Sequence, residues 1–235
     1  VSMSLRTAHD HDRVDTLLRG VPVPVIAQNY EIGARELDAA RRLGNALDTV
    51  EAMESGRQVA EKLESIFFNG ESSIVLGGDG IDGLTNTSAR LTDTANNFGG
   101  GDWGTQANVK ATVLGMIAGL SARGYRGPYR VYAANTQYFE ALDSFAEKPG
   151  SPLSEVEALP QVLGLSRSDF LADGNIVVVQ MTRSVVDLAI GLEIANREWN
   201  AQDDSAFYGK VLGVMVPRIK VDVNDETGIA HASGA

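Results

Sequence analysis

Apolar or small residues at positions 52, 53, 56, 59, 60, 63, 66 and 67 recur at three- and four-residue spacing, which marks one face of an α-helix. The spacing predicts a helix from Asp48 to Asn69. Asp48 is placed to cap its first turn, with Glu51 reaching back as in a capping box, and Gly70 supplies the left-handed stop. Roughly 20 residues at about 1.5 Å each make a rod of about 30 Å. Such a rod serves as a spine for the rest of the chain.

Around it the patterning mixes the two periods. Residues 1–27 read as extended, with Pro22 and Pro24 removing backbone donors and so excluding a central strand. Residues 30–43 suggest a short helix ending near Gly44. From Glu71 to Gly104 the composition turns to Gly, Asn, Thr and Asp, which predicts a long loop with at most a short hairpin. Val109, Val113, Met116, Ile117 and Leu120 define a second helix over 105–123, closed by Gly124. A strand over 129–134 leads to a helix capped by Asn135. A mixed, proline-marked stretch follows over 146–174, and Ile176 to Met181 is a buried strand by composition. Val185–Ile190 and Glu193–Trp199 read as separate extended pieces around Gly191. Phe207 to Val223 is one long extended run in which Pro217 demands an edge or a bend, and the tail after Asn224 is small and polar. Helices and strands without a βαβ rhythm predict an α+β fold.

Composition narrows the chemistry. At 235 residues, 43% hydrophobic and 22% charged, the chain is of globular type. It has no run of 18 apolar residues and no apolar leader segment. With no Cys, disulfides, thiolate nucleophiles and Cys-ligated zinc are excluded, and cytosolic folding is the expectation. A net charge of −11 argues against a dedicated nucleic-acid reader, though not against a wall that encloses nucleic acid. The chain opens at Val1, in strand-like alternation and without an initiator Met, so an upstream piece is expected to have been removed.

Candidate motifs weigh little. Gly78-Asp79-Gly80-Ile81-Asp82-Gly83 fits the glycine pattern of dinucleotide sites, but a helix should start at the third Gly, and the turn-forming Leu84-Thr85-Asn86 follows instead. His9 and His11 sit at strand spacing without distant partners, so a solvated turn outweighs a metal site. The calcium-loop spacing around Asp79 and Asp82 is incomplete. Asn86-Thr87-Ser88 is a glycosylation sequon, idle in a cytosolic protein. No Ser-His-Asp set and no nucleophile elbow stand out, and the Glu61/Glu64 pair is at home on a solvated helix face. Nothing in these motifs looks like an active site, so no enzyme, cofactor or metal is predicted.

Taken in order, Val21-Pro22-Val23-Pro24-Val25-Ile26, Leu47-Asp48-Thr49, Phe68-Asn69-Gly70, Gly80-Ile81-Asp82-Gly83-Leu84-Thr85-Asn86, Gln180-Met181-Thr182, Glu198-Trp199 and Val214-Met215-Val216-Pro217-Arg218 resemble major capsid proteins of tailed bacteriophages with the HK97-like fold. More distantly they resemble the encapsulin shell proteins that share that fold. The resemblance implies an extended E-loop limb over 1–27, a peripheral domain over 28–107 and 206–235, and an axial domain over 108–205. The N-terminal arm and outgoing E-loop limb of that family have no counterpart in the sequence, and no Lys–Asn cross-link is predicted. The implied function is self-assembly through hexamers and pentamers into an icosahedral virion shell around double-stranded DNA. Such a shell is assembled in host cytoplasm with portal, scaffold or decoration partners and no membrane. The alternative is an encapsulin shell that loads a cargo enzyme, and a remote third is a nucleotide-binding enzyme using Gly78–Gly83. Contacts between copies are expected at Arg6, Arg13, Arg19, Pro22, Pro24, Asp79 and Asp82, and at Glu54, Glu61 and Glu64 of the spine. The arginines of an extended arm are expected to meet the glutamates of a neighbouring helix.

Overall fold

The computed structural model describes residues 20–44, 47–76, 79–145, 149–202 and 205–235. In order these form β1 (Ile26–Gly33), α1 (Ala34–Arg42), α2 (Leu47–Asn69), β2 (Glu71–Leu76), β3 (Asp79–Ile81), β4 (Leu91–Thr94), α3 (Gln106–Ala122), β5 (Tyr129–Ala133), α4 (Asn135–Leu142), α5 (Pro152–Glu157), β6 (Val162–Arg167), β7 (Ile176–Gln180), β8 (Val186–Asn200), β9 (Ala206–Ile219) and β10 (Ile229–Ser233). Three sheets result, with orders β1-β9-β8, β4-β10-β7-β5-β6 and β2-β3. The mixed α+β architecture predicted from the sequence is present.

The spine helix α2 ends where the sequence placed it, Gly70 taking φ +69° and donating its N–H to the Ile66 carbonyl at 2.8 Å. The side chain of Asp48, its expected cap, is not among those described. The buried face is rotated from the one the periodicity suggested. Ser55, Val59, Ile66 and Phe68 are buried, while Met53 stays 69% exposed and Ala60 is exposed as well. The reason is tertiary: Val59 packs with Tyr30, Ile32 and Val211, so the line of contact follows the three-stranded sheet.

That sheet is dominated by β8 and β9, paired antiparallel from Val186–Ile219 to Asn200–Phe207. β8 is one strand, not two, because register shifts on either side of Leu192 absorb the irregularity near Gly191. β1 covers only one end of β9, from Ile26–Gly213 to Gly33–Ala206. Pro217 therefore sits where β9 has no second neighbour, so the missing N–H costs no ladder bond. Residues 30–33 are the end of β1, and the predicted short helix begins only at Ala34.

The second layer is closed on itself. In the five-stranded sheet, Ile176, Val177, Val178 and Val179 of β7 are fully buried. One face packs on α3 through Trp103, Val113, Met116 and Leu120 with Tyr129 and Val131. The other meets the end of the spine through Phe68, Leu84, Val177 and Val179. The tail, read from sequence only as small and polar, forms β10 between β4 and β7. The stretch read as a loop with a short hairpin from 71 to 104 supplies that hairpin as β2 and β3, and β4 besides. β4 and β10 thus belong with the strands of the proposed axial region, not with the spine helix alongside which the sequence reading grouped them.

Candidate functional site

Two surface elements set the geometry here. The first is the turn after the spine. Leu84 N–H donates to the Phe67 carbonyl at 3.1 Å, Thr85 N–H to the Phe68 carbonyl at 2.9 Å, and Thr85 Oγ1 to that same carbonyl at 2.9 Å. Asn86 Oδ1 accepts from Gly83 N–H at 2.6 Å. The segment 83–86 therefore caps the carbonyls that the last turn of α2 leaves free. Gly83 is glycine because a Cβ there would lie 2.2 Å from Gly70 N and 2.5 Å from the Phe68 carbonyl oxygen. No helix starts at Gly83, and the glycines at 80 and 83 belong to a hairpin and to this cap. The nucleotide-binding reading of 78–83 falls on that geometry, since no run of free helix N-terminal amides follows.

The second element is the sheet β1-β9-β8. Tyr30, Gly209 and Glu198 stand opposite one another in its three strands. The Tyr30 ring lies across Gly209, where a Cβ would meet ring atom Cζ at 1.9 Å. It crosses to β8, and its hydroxyl donates to Glu198 Oε1 at 3.1 Å and accepts from Asn196 Nδ2 at 2.9 Å. At the other end Arg218 holds Asp187 through two 2.7 Å hydrogen bonds, and Lys220 Nζ lies 2.9 Å from the same carboxylate. Both cations hold the Asp187 carboxyl below its ordinary range, the Arg218 hydrogen bond first. The long hairpin is thus pinned at both ends.

At one end Tyr30 and Val211 pack on the spine, which turns the pair Trp199–Tyr208 to the opposite face. At the other, Val216 and its partner Ala189 lie near Ile66, which turns Leu188 and Ile190 away as well. There Leu188 is 47%, Ile190 53% and Trp199 49% exposed, with Trp199 stacked on Tyr208 at 6.1 Å. This half-bare apolar face was not singled out from sequence. The alternation of apolar residues along Val186–Ile190 was the available signal, but it does not tell which side of the sheet has a cover.

The predicted contact residues fall in different places. Arg6, Arg13 and Arg19, together with His9 and His11, lie outside the described residues. Pro22 and Pro24 are buried against the chain itself rather than projecting, in a segment whose Val21 and Ile26 pack near Ile66, Ile81 and Val216. Asp82 is exposed in the hairpin beyond the spine, and the Asp79 side chain is not among those described. Glu54, Glu61 and Glu64 share the outer face of α2, yet two of them are engaged within the helix. Arg57 Nε donates to Glu54 Oε2 at 3.0 Å, and its Nη1 donates to Glu61. The Arg57 hydrogen bond holds the Glu54 carboxyl down at about 2. Glu64 carries no ion pair among the described residues. Among those residues no three metal-ligating side chains cluster, and no helix is long and apolar enough to cross a membrane.

Comparison with known proteins places this architecture. The Type 1 encapsulin shell protein EncA of Myxococcus xanthus (strain DK1622) is 28% identical over 174 residues, covering 73% of this chain and 56% of that protein. The chain spans about half the length of the curated relatives it matches. Among solved structures, the virus-like particle from Pyrococcus furiosus superposes with a TM-score of 0.69 at 14% identity, covering 90% of this chain and 77% of that one. The capsid of Myoviridae phage XM1 gives 0.66 at 17% identity, covering 91% and 74%. The fold is the HK97-like capsid fold, shared by shells of both kinds. The model of the Linocin_M18 family, described as encapsulating protein for peroxidase, matches residues 4–206, and the chain belongs to that family.

Proposed function

We propose that the chain is the shell subunit of an encapsulin-type compartment, which self-associates into a closed icosahedral container around a protein cargo. The observation that carries this reading is the family match over residues 4–206, joined to a fold whose spine and sheet follow capsid geometry. It shifts the balance from a phage capsid around double-stranded DNA, the first reading of the sequence, to the compartment that was its alternative. The net charge of −11 does not separate the two readings, since a wall can enclose DNA without gripping it. In this reading the part of the arm before Gly20, outside the described residues, is the part that reaches a neighbouring copy, since residues 20–27 pack on the chain itself. There Arg6, Arg13 and Arg19 meet the outer face of its spine helix, with Glu64 the carboxylate not already engaged by Arg57. Asp79 and Asp82 approach a symmetry-related copy at the hairpin. Rotational repetition of such unlike surfaces closes rings and shells.

Negative-stain microscopy and sedimentation of the purified chain, expressed with and without its genomic neighbours, test the proposal. Uniform shells that retain a co-purifying protein after nuclease treatment are the expected result. Shells whose retained content is nuclease-protected DNA would return the capsid reading. Charge reversal Arg13→Glu is expected to lower shell yield, and unchanged yield and shell melting would remove the arm–spine pairing while leaving the container intact.

A further inference from the structure

His231 lies on β10, in the interior of the five-stranded sheet, opposite Thr92 of β4 and Val177 of β7. Its Nδ1 accepts a hydrogen bond from Arg90 Nε at 3.4 Å, while its Nε2 is buried without any partner. A nitrogen that accepts from a guanidinium carries no proton, so the ring is the neutral Nε2–H tautomer. Arg90 also donates through Nη1 to the Thr87 carbonyl at 2.5 Å, which ties the segment leading into β4 to the His231 ring.

On the face that His231 shares, β5 turns Tyr132 and Arg130 toward it, and Glu64 of the spine acts on Tyr132. β7 presents Val177 and Val179, and the spine and the loop beyond β6 present Phe68 and Leu171 on the same face. On β4, Asp93 accepts from Asn97 Nδ2 at 2.6 Å and from Thr94 N–H at 2.8 Å. Glu226, before β10, lies 3.3 Å from Arg123. Of the charged groups around this contact, Arg90 alone acts on the ring.

We propose that the β4–β10 seam is an acid-sensitive joint. Protonating His231 turns its contact with Arg90 from a hydrogen bond into the apposition of two cations, and the segment 87–94 loosens from β10. The proton enters at Nδ1, so the same event removes the acceptor and adds the charge. The direction of titration agrees, since burial first and the Arg90 charge second hold the imidazole below its ordinary value. A base held neutral in the fold but free to protonate in the unfolded chain contributes stability above its unfolded value of about 6.5. That contribution is lost as pH falls below it. This inference is independent of what the shell contains.

Two measurements on the purified chain test it. Melting temperature followed from about pH 7.5 to about pH 5 is expected to fall more steeply for wild type than for His231→Gln, whose amide oxygen still accepts from Arg90 but does not titrate. The His231 ring resonances should titrate below about 6.5, and Arg90→Gln should move that midpoint upward. Equal slopes in wild type and His231→Gln would overturn the joint. A wild-type ring midpoint at or above the ordinary value would overturn it as well, and that second measurement stands even where His231→Gln fails to fold.

Discussion

The two large sheets of this chain are built from similar residues and end in different states. In the five-stranded sheet, β7 buries four consecutive aliphatic side chains, and helix α3 lays Val113, Met116 and Leu120 over its neighbours, so nothing apolar of β7 is left for another molecule. In the three-stranded sheet the spine covers one face only, and β8 leaves Leu188, Ile190 and Trp199 half-bare along an edge strand. Exposed edges and apolar faces are hazards that monomeric proteins avoid. A subunit that completes itself on its neighbours has reason to keep them. One sheet is a finished core, and in the proposed shell the other is half of an interface.

The largest effect should come from breaking the finished core. Trp103 is fully buried against α3, with its indole N–H donating to Thr112 Oγ1 at 3.3 Å. Trp103→Ala removes that volume and leaves the Thr112 hydroxyl without a donor. A loss of about 3–5 kcal/mol in chemical denaturation is expected. A loss under about 1 kcal/mol would mean that this core is looser than its burial implies.

Next comes the joint between the sheets, where Gly83→Ala would press a methyl into the Gly70 amide and the Phe68 carbonyl. A cost of about 1–3 kcal/mol is expected, the usual range for overpacking against atoms that cannot turn aside. Gly83→Ala with wild-type melting would show that the cap can shift without penalty. This capping role was hidden in the sequence. Gly80 to Asn86 stood out, but the carbonyls it satisfies belong to Phe67 and Phe68, each seventeen residues before the amide that reaches it. Elements with strong local patterning were legible: the spine, α3, and β7 with its aliphatic run. β10 was not, because Ile229-Ala230-His231-Ala232-Ser233 has little strand propensity of its own and is a strand because β4 and β7 lie on either side. The rotated face of α2 failed for the same reason, as Met53 fits the apolar repeat yet no strand passes beneath it. The contents of the proposed container left no local pattern, and only resemblance over most of the chain bears on them.

On the open sheet the outcome should invert. Ile190→Asp places a charge on the bare face of β8, where folding of the single chain does not bury it. Chain stability should stay within about 0.5–1 kcal/mol of wild type, while shell yield by sedimentation collapses. If shells form normally, this face is not an interface, and the contrast between the sheets loses its functional meaning. If the chain itself unfolds, the face is part of its own core after all.

The smallest effect tests whether the finished core is finished everywhere. Glu140, on α4 beside the exposed Phe139, has Oε2 buried with no hydrogen-bond partner. Burial first and the nearby Asp102 second push its carboxyl above the ordinary range. A raised carboxyl favours the protonated fold, so its stabilising contribution is present below the unfolded value and is lost as pH rises through the folded one. Glu140→Gln, which cannot ionise, should therefore melt above wild type near neutral pH and converge with it in acid. For His231 the fold prefers the deprotonated form instead, so the two variants should tilt the pH profile of the chain in opposite directions. A Glu140→Gln difference that is flat with pH would mean that water or a neighbouring copy already satisfies the carboxylate. Comparing free chain with assembled shell would separate those two, since only the neighbour's contribution disappears on dissociation.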